Sequence, residues 1–306
     1  MHLVLQEPEI EGVSILYSVE RLVAHVKTRY QDAVVADTSA YGRMLFLDGL
    51  VQSAEADEAL YHEALIHPAL VLHGSPRRVL VGGTGEGASL REILRHASVE
   101  KIVSVDLDAE VVELSRRFLE KWHAGSLDDP RVELRTEDIF DTLRQAAPGS
   151  FDAIVLDVTD PTDEGPSAAL FSTRFFALVR RALADDGICV LQAGELDPLD
   201  LKLARTVRST LEAVFPHVRF AHGFVPSFHC LWGFALMSRR PLDADPPDLA
   251  RRIAALGELQ WYTPTAHRAA LELPPILRRR LAEPGQVITG EGELLSYTTG
   301  HKGHGD

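Results

Sequence analysis

The six residues Gly82-Gly83-Thr84-Gly85-Glu86-Gly87 constrain this chain more than any others. They follow the apolar run Val79-Leu80-Val81 and precede a stretch, Ala88 to His96, that reads as a helix. Glycines at a strand-to-helix turn adopt conformations closed to other residues and let a ligand approach the backbone at the carboxyl end of the strand. The loop therefore predicts a βαβ unit with a crevice at its tip. By itself it leaves open a nucleotide ligand, an adenosyl ligand or a tight turn with no ligand.

Alternation continues downstream. Lys101 to Val105 reads as a second strand, Asp108 to Trp122 as a helix, Arg131 to Leu134 and Ala153 to Leu156 as further strands. An amphipathic helix, Ser172 to Leu183, precedes a fifth strand, Gly187 to Leu191. Strands joined by crossover helices form a parallel sheet covered on both faces. Val218 to Phe224 and Leu231 to Met237 have no long helix between them and predict an antiparallel hairpin closing that sheet. The expected fold class is α/β, a Rossmann-like core of seven strands similar to adenosylmethionine-dependent transferases.

Upstream, short alternating runs at Gly12 to Tyr17, Leu22 to Thr28, Asp32 to Ala36 and Met44 to Leu47, with turns at Tyr41-Gly42 and Asp48-Gly49, predict a small antiparallel β-domain. The expected division is residues 1–55 for that domain, 56–240 for the core with a linking helix from Ala56 to His73, and 241–306 for a Pro- and Arg-rich helical extension ending in a flexible tail. With 306 residues, 45% of them hydrophobic, the chain can bury a large core.

A net charge of −14 argues against nucleic acid as a partner, since phosphates want a basic face, and suits a cationic ligand or simple solubility. No run approaches the roughly 18 apolar residues of a membrane span, and Met1 to Pro8 lacks the pattern of a leader peptide. Cys189 and Cys230 are too few for a disulfide framework. His62 and His67, five apart, and His222 and His229, across a turn, lack metal-ligand spacing, so no metal is expected. These features together suggest a cytoplasmic protein.

The acids carry more information. Asp106 ends the second strand, twenty residues after Glu86, where a carboxylate can accept from ribose hydroxyls; neighbouring Asp108 suits a helix cap. Asp138 stands where an adenine amino group would need an acceptor, or equally as the cap of a helix starting at Ile139. Asp157-Val158-Thr159-Asp160-Pro161 places two carboxylates at the end of a buried strand, in a crevice already holding Glu86 and Asp106. Such acids repel one another without a cation. A cationic ligand resolves the conflict, one acid holding an ammonium and the other accepting a proton. Glu86 inside the loop disfavours a ligand arm carrying a carboxylate and favours one carrying only an ammonium.

These residues resemble the polyamine aminopropyltransferases, the spermidine synthase family. Gly83 to His96 is similar to the family's GGG(D/E)G-x-x-x-R-E-x-x-(K/R)-H segment, Val105-Asp106-Leu107-Asp108 to its V-D-I-D, and Asp157 to Pro161 to its D-S/L-S/T-D-P. Tyr30-Gln31, Tyr41-Gly42, Leu47 to Gln52, Asp57-Glu58 and Tyr61-His62-Glu63 match upstream in order and spacing. The resemblance implies transfer of an aminopropyl group from decarboxylated S-adenosylmethionine, a co-substrate rather than a resident cofactor, to putrescine or a related amine, with methylthioadenosine as second product. Asp157 would be the base with Tyr61 beside it. Gln31, Gln52, His62, Gly83, Gly85 and Glu86 would hold the donor, Asp106 its ribose, Asp138 its adenine, and Asp160 the acceptor amine. A homodimer or homotetramer is implied through the β-domain.

Two departures stand out. Thr84 replaces the middle glycine of the loop, and Gly82 a hydrophobic residue before it. At the acceptor end, Pro226-Ser227-Phe228, followed by Trp232-Gly233, puts Phe228 where putrescine-using members have a tyrosine. This pair, with the acids of Asp157 to Pro166, is more similar to thermospermine synthases and to thermophile enzymes acting on triamines or agmatine. Two other readings share the features: an adenosylmethionine-dependent methyltransferase, against which the paired aspartates count, and a polyamine-binding protein without turnover.

Overall fold

The computed structural model describes residues 3–10, 13–161 and 168–290. Thr162 to Pro166 and Thr298 to Asp306, on which the acidic-loop and flexible-tail expectations rested, lie outside the described residues.

The chain opens with a five-stranded antiparallel sheet in sequential order, β1 (Leu3–Ile10), β2 (Val13–Lys27), β3 (Asp32–Thr38), β4 (Gly42–Leu47) and β5 (Leu50–Ala54). The sequence suggested two short strands where β2 is one strand of 15 residues. Its first half pairs with β1 and its second with β3, and bulges between Val19 and Ala24 mark the handover. The strand β1, which the pattern did not reveal, lies at the sheet edge, where Pro8 leaves no central ladder bond unmade. Asp48 and Gly49 both take positive φ (51° and 81°), the geometry of a two-residue hairpin turn joining Leu47 to Leu50.

The helix α1 (Glu58–His73) links this sheet to β6 (Arg78–Gly82), α2 (Ala88–Leu94), β7 (Lys101–Asp106), α3 (Ala109–Phe118), the short α4 (Glu120–His123) and β8 (Val132–Thr136). There follow α5 (Ile139–Gln145), β9 (Phe151–Leu156), α6 (Thr173–Ala182), β10 (Leu183–Glu195), α7 (Lys202–Glu212), β11 (His217–Val225) and β12 (Cys230–Ser238). The seven strands run β11-β12-β10-β9-β6-β7-β8, with β12 antiparallel to both neighbours and the other pairs parallel. The predicted seven-stranded core with its hairpin is therefore present. The chain reverses direction across the sheet beside β6, so the crevice at the carboxyl ends of β6, β7 and β9 is the switch point where such folds bind ligands.

Alternate residues of the central strands serve opposite faces. Leu80, Ile154, Leu156 and Leu191 pack on Phe175, Phe176 and Val179 of α6, while Val79, Val81, Val155 and Val190 pack on Leu65 and Ile66 of α1 and Leu90 and Ile93 of α2. Both faces are dry, as parallel sheets require. Buried on nearly every side, α1 presents successive residues about 100° apart, so Tyr61, His62 and Glu63 project in three directions.

The extension carries α8 (Leu249–Ala254), which docks on α1, α9 (Pro264–Ala270), and α10 (Pro275–Leu281), which packs on α7. Leu249, Ile253, Leu256 and Tyr262 pack with Val71, and buried Glu63 accepts the backbone N–H groups of Gln260, Trp261 and Tyr262 at 2.8, 2.8 and 2.7 Å. Among the described residues no helix is long and apolar enough to cross a membrane.

Candidate active site

Three glycines of the loop, Gly83, Gly85 and Gly87, take positive φ, and Thr84 does not, so a side chain is tolerated there. Buried Thr84 bonds through Oγ1 to Ser104 Oγ (2.6 Å), which ties the loop to β7. A Cβ on Gly82 would press on Ile139 and Leu156 at 3.2 to 3.3 Å, so the small residue admits α5 against the sheet. The constraint at Gly83 is absolute: a Cβ there would lie 2.0 Å from the Asp157 carbonyl oxygen. Loop and β9 end touch backbone to backbone, and the Asp157 N–H donates to Gly82 O (2.8 Å).

The Asp157 side chain, 17% exposed, points into this crevice and is held on both oxygens. The Tyr61 hydroxyl donates to Oδ1 (2.8 Å) and the Ser89 hydroxyl to Oδ2 (2.7 Å). Burial raises its pKa, His62 opposes this, and Glu86 adds to the rise. His62 Nε2 stands 3.2 Å from Glu86 Oε1 and 4.0 Å from Asp157 Oδ2. On its far side Glu58 pairs with Arg91 (2.8 Å). Burial pushes Asp160 up to about 6, partly offset by Gln192 Nε2, which donates to its Oδ1 (2.9 Å) and to Val158 O. A half-buried carboxyl raised in this way is favoured in its charged form by a nearby cation.

Asp106 closes the loop: its Oδ2 accepts the N–H groups of Thr84 and Gly85 (2.8 and 3.0 Å), and its Oδ1 that of Asp108 (2.8 Å). Asp108 caps α3, as read from the sequence, and receives Thr28 and Gln31 side chains from the first sheet. Gln31 thus borders the crevice. Gln52 donates to Leu50 O (3.3 Å) and has no described bond to the Asp157 cluster. Exposed Asp138 caps α5 by accepting from Phe140 N (2.8 Å), one of the two roles the sequence left open.

The turn between β11 and β12 forms another wall. The Phe228 ring meets Tyr61 edge-on at 5.6 Å and Trp232 at 4.8 Å. Its backbone is gripped from the first sheet, with Tyr17 and Tyr41 hydroxyls donating to the carbonyls of Ser227 and Pro226. The cluster therefore joins Tyr61, His62, Glu86, Asp157, Asp160, Phe228 and Trp232, with Asp106 and Gln31 at its edge. Ser89 and Gln192 join the site without having been singled out in the sequence. Gln192 had a signal, a polar residue after the buried run Ile188 to Leu191; Ser89 had none beyond its place in the first turn of α2.

Comparison with known proteins agrees with this geometry. A family model described as spermine/spermidine synthase domain matches residues 58–245, and one described as spermidine synthase tetramerisation domain matches residues 5–55. The chain is 45% identical to polyamine aminopropyltransferase 2 of Pseudomonas aeruginosa, over 89% of this chain and 79% of that one. It is 41% identical to the polyamine aminopropyltransferase of Aeropyrum pernix, over 78% and 74%. The crystal structure of spermidine synthase from Thermotoga maritima superposes with a TM-score of 0.83 at 29% identity, covering 92% of this chain and 94% of that one. A spermidine synthase in complex with the transition-state analogue AdoDATO gives 0.84 at 29% identity, covering 92% and 95%. From its motifs, its fold and these likenesses, the chain belongs to the spermine/spermidine synthase family.

Proposed function

We propose that the chain transfers the aminopropyl group of decarboxylated S-adenosylmethionine to an amine. The observation that carries this reading is the half-buried Asp157, gripped by Tyr61 and Ser89 and set among Glu86, Asp160 and the Phe228 wall. The acceptor nitrogen attacks the carbon beside the sulfonium; the C–N bond forms and the C–S bond breaks, its electron pair passing to sulfur as methylthioadenosine leaves. Sulfur departs without a metal, so the protein's task is alignment and removal of the proton from nitrogen. Asp157 takes that proton. Glu86 and His62 hold the aminopropyl arm, Gly83, Gly85, Gln31 and Gln52 border the donor, Asp106 and Asp138 meet its ribose and adenine, and Asp160 binds the acceptor's ammonium.

The acceptor wall favours an amine longer than putrescine, or one ending in a guanidinium that can lie over a ring, because Phe228 and Trp232 offer rings and no phenol oxygen. A triamine or agmatine fits this better than putrescine. Assembly as a tetramer through the first sheet is supported by Leu3, Val13, Leu16 and Leu22, which expose 47 to 64% of their surface on β1 and β2. We also assign the protein to the cytoplasm, and divide it at residues 55 and 240.

The test is an acceptor panel: purified protein, decarboxylated S-adenosylmethionine, and putrescine, cadaverine, agmatine, spermidine and spermine, with products identified by mass. Aminopropyl transfer to a triamine or agmatine is expected. Preference for putrescine would remove the argument from Phe228, and methyl transfer from S-adenosylmethionine would overturn the reading itself.

A further inference from the structure

His62 is 2% exposed, and every oxygen within reach of its ring belongs to a carbonyl or a carboxylate. Its Nδ1 lies 2.6 Å from the Glu58 carbonyl oxygen and 3.1 Å from Glu58 Oε2. A carbonyl oxygen only accepts, so Nδ1 carries a hydrogen. A neutral ring would then aim the Nε2 lone pair at Glu86 Oε1 (3.2 Å) and Asp157 Oδ2 (4.0 Å). Protonation at both nitrogens removes that clash, and the ring is an imidazolium.

The surrounding charges are few. Glu58 faces the ring from its own helix and is matched by Arg91 of α2. Glu86 faces it from the glycine loop, and Asp157, bonded to Tyr61, from the end of β9. With Glu58 neutralised by Arg91, His62 is the cation beside Glu86 and Asp157 among these groups. Burial opposes the charge, but Glu58 and Glu86 more than restore it, holding the imidazole well above its usual range.

We propose that His62 is the resident counter-cation of the free site, and that the ammonium of the bound donor displaces the Nε2 proton. The inference rests on the proposed pairing of that ammonium with Glu86. Two cations sharing one carboxylate repel. The Nε2 proton leaves to solvent, and the exposed lone pair then accepts from the ammonium, so His62 changes from hydrogen-bond donor to acceptor. Methylthioadenosine has no such arm and leaves the proton in place. Donor affinity therefore rises about tenfold per pH unit while the free site remains protonated at His62.

The test is isothermal titration calorimetry on the full chain near pH 7.5, in two buffers of different ionisation enthalpy, with decarboxylated S-adenosylmethionine and with methylthioadenosine. The expected result is release of about one proton per donor bound and almost none for methylthioadenosine. His62→Gln should bind the donor without proton release, whereas Asp160→Asn should keep the release, which separates His62 from the carboxyl raised to about 6. Equal proton numbers for the two ligands, or release persisting in His62→Gln, would overturn the inference alone. Failure of the donor to bind at all would overturn the proposed function and this inference with it. Equal proton release by the two ligands on the unsubstituted protein overturns the inference even where a variant does not fold.

Discussion

Asp57 and Ser227, 170 residues apart, are joined twice: the Ser227 N–H donates to Asp57 Oδ2 at 2.6 Å and its hydroxyl to Oδ1 at 3.0 Å. Both residues are buried. Asp57 stands just before α1, so the bond locks the Phe228 turn to the helix carrying Tyr61. Removing one charge-assisted bond with Ser227→Ala should lower kcat/KM for the amine by roughly 10-fold. Donor affinity should not change. Kinetics with the amine varied at saturating donor would check this, and equal losses for both substrates would contradict it.

Asp157→Asn removes the proton acceptor, and turnover should fall ~10²- to 10⁴-fold with donor binding retained. Tyr61→Phe tests the same oxygen more gently. The Tyr61 hydroxyl favours the charged form of a carboxyl that burial already pushes upward. Without it the pKa rises further. Asp157 must be ionised to accept a proton, so activity falls as pH drops through that pKa. The acid limb of the kcat profile should therefore move to higher pH in Tyr61→Phe.

Glu63→Ala would leave the N–H groups of Gln260, Trp261 and Tyr262 without their acceptor. A buried donor left unpaired costs about 1–3 kcal/mol; the Tyr262 N–H is buried and the other two are partly so, and the loss should be about 3 kcal/mol. Denaturant titration measures it, and limited proteolysis should show new cleavage near residues 255–263. Glu63→Gln keeps one oxygen and should lose less.

Acid should loosen the packing of α1 on α2. Burial, reinforced by His67, pushes His96 down to about 3. Burial works against ionisation of Glu92 as well, but bonds from His67 and Arg91 hold it at about 2. The folded state resists protonating His96, so its contribution is complete above pH 6.5 and is lost as pH falls from there toward 3. Glu92 adds a loss between 4.5 and 2. Each pH unit in the His96 window costs about 1.4 kcal/mol. Urea titrations between pH 6 and 5 should show that slope, flattened in His96→Gln.

Periodicity made the parallel core, the closing hairpin and the two aspartates that follow β9 legible before any coordinates. Their signals are local: strand, glycine loop, strand-end acid. What escaped depends on partners. One continuous β2 appears only when its two neighbours are known, since the ladder passes from β1 to β3 midway. Asp138 could not be assigned because a helix cap and a ligand acceptor want the same residue at the same place. Glu63, third in Tyr61-His62-Glu63, carried no mark that it would gather three amides from beyond residue 259.

The Phe228 turn is held by Tyr17, Tyr41 and Asp57 of the N-terminal part, whereas Asp157 is held by β6, α1 and α2. On the proposed assignment, substitutions at Tyr17 and Tyr41, whose hydroxyls hold the backbone of the turn, can therefore tune which amine enters. The leaving-group machinery is untouched by such substitutions, so a lineage could change its polyamine repertoire without passing through an inactive ancestor.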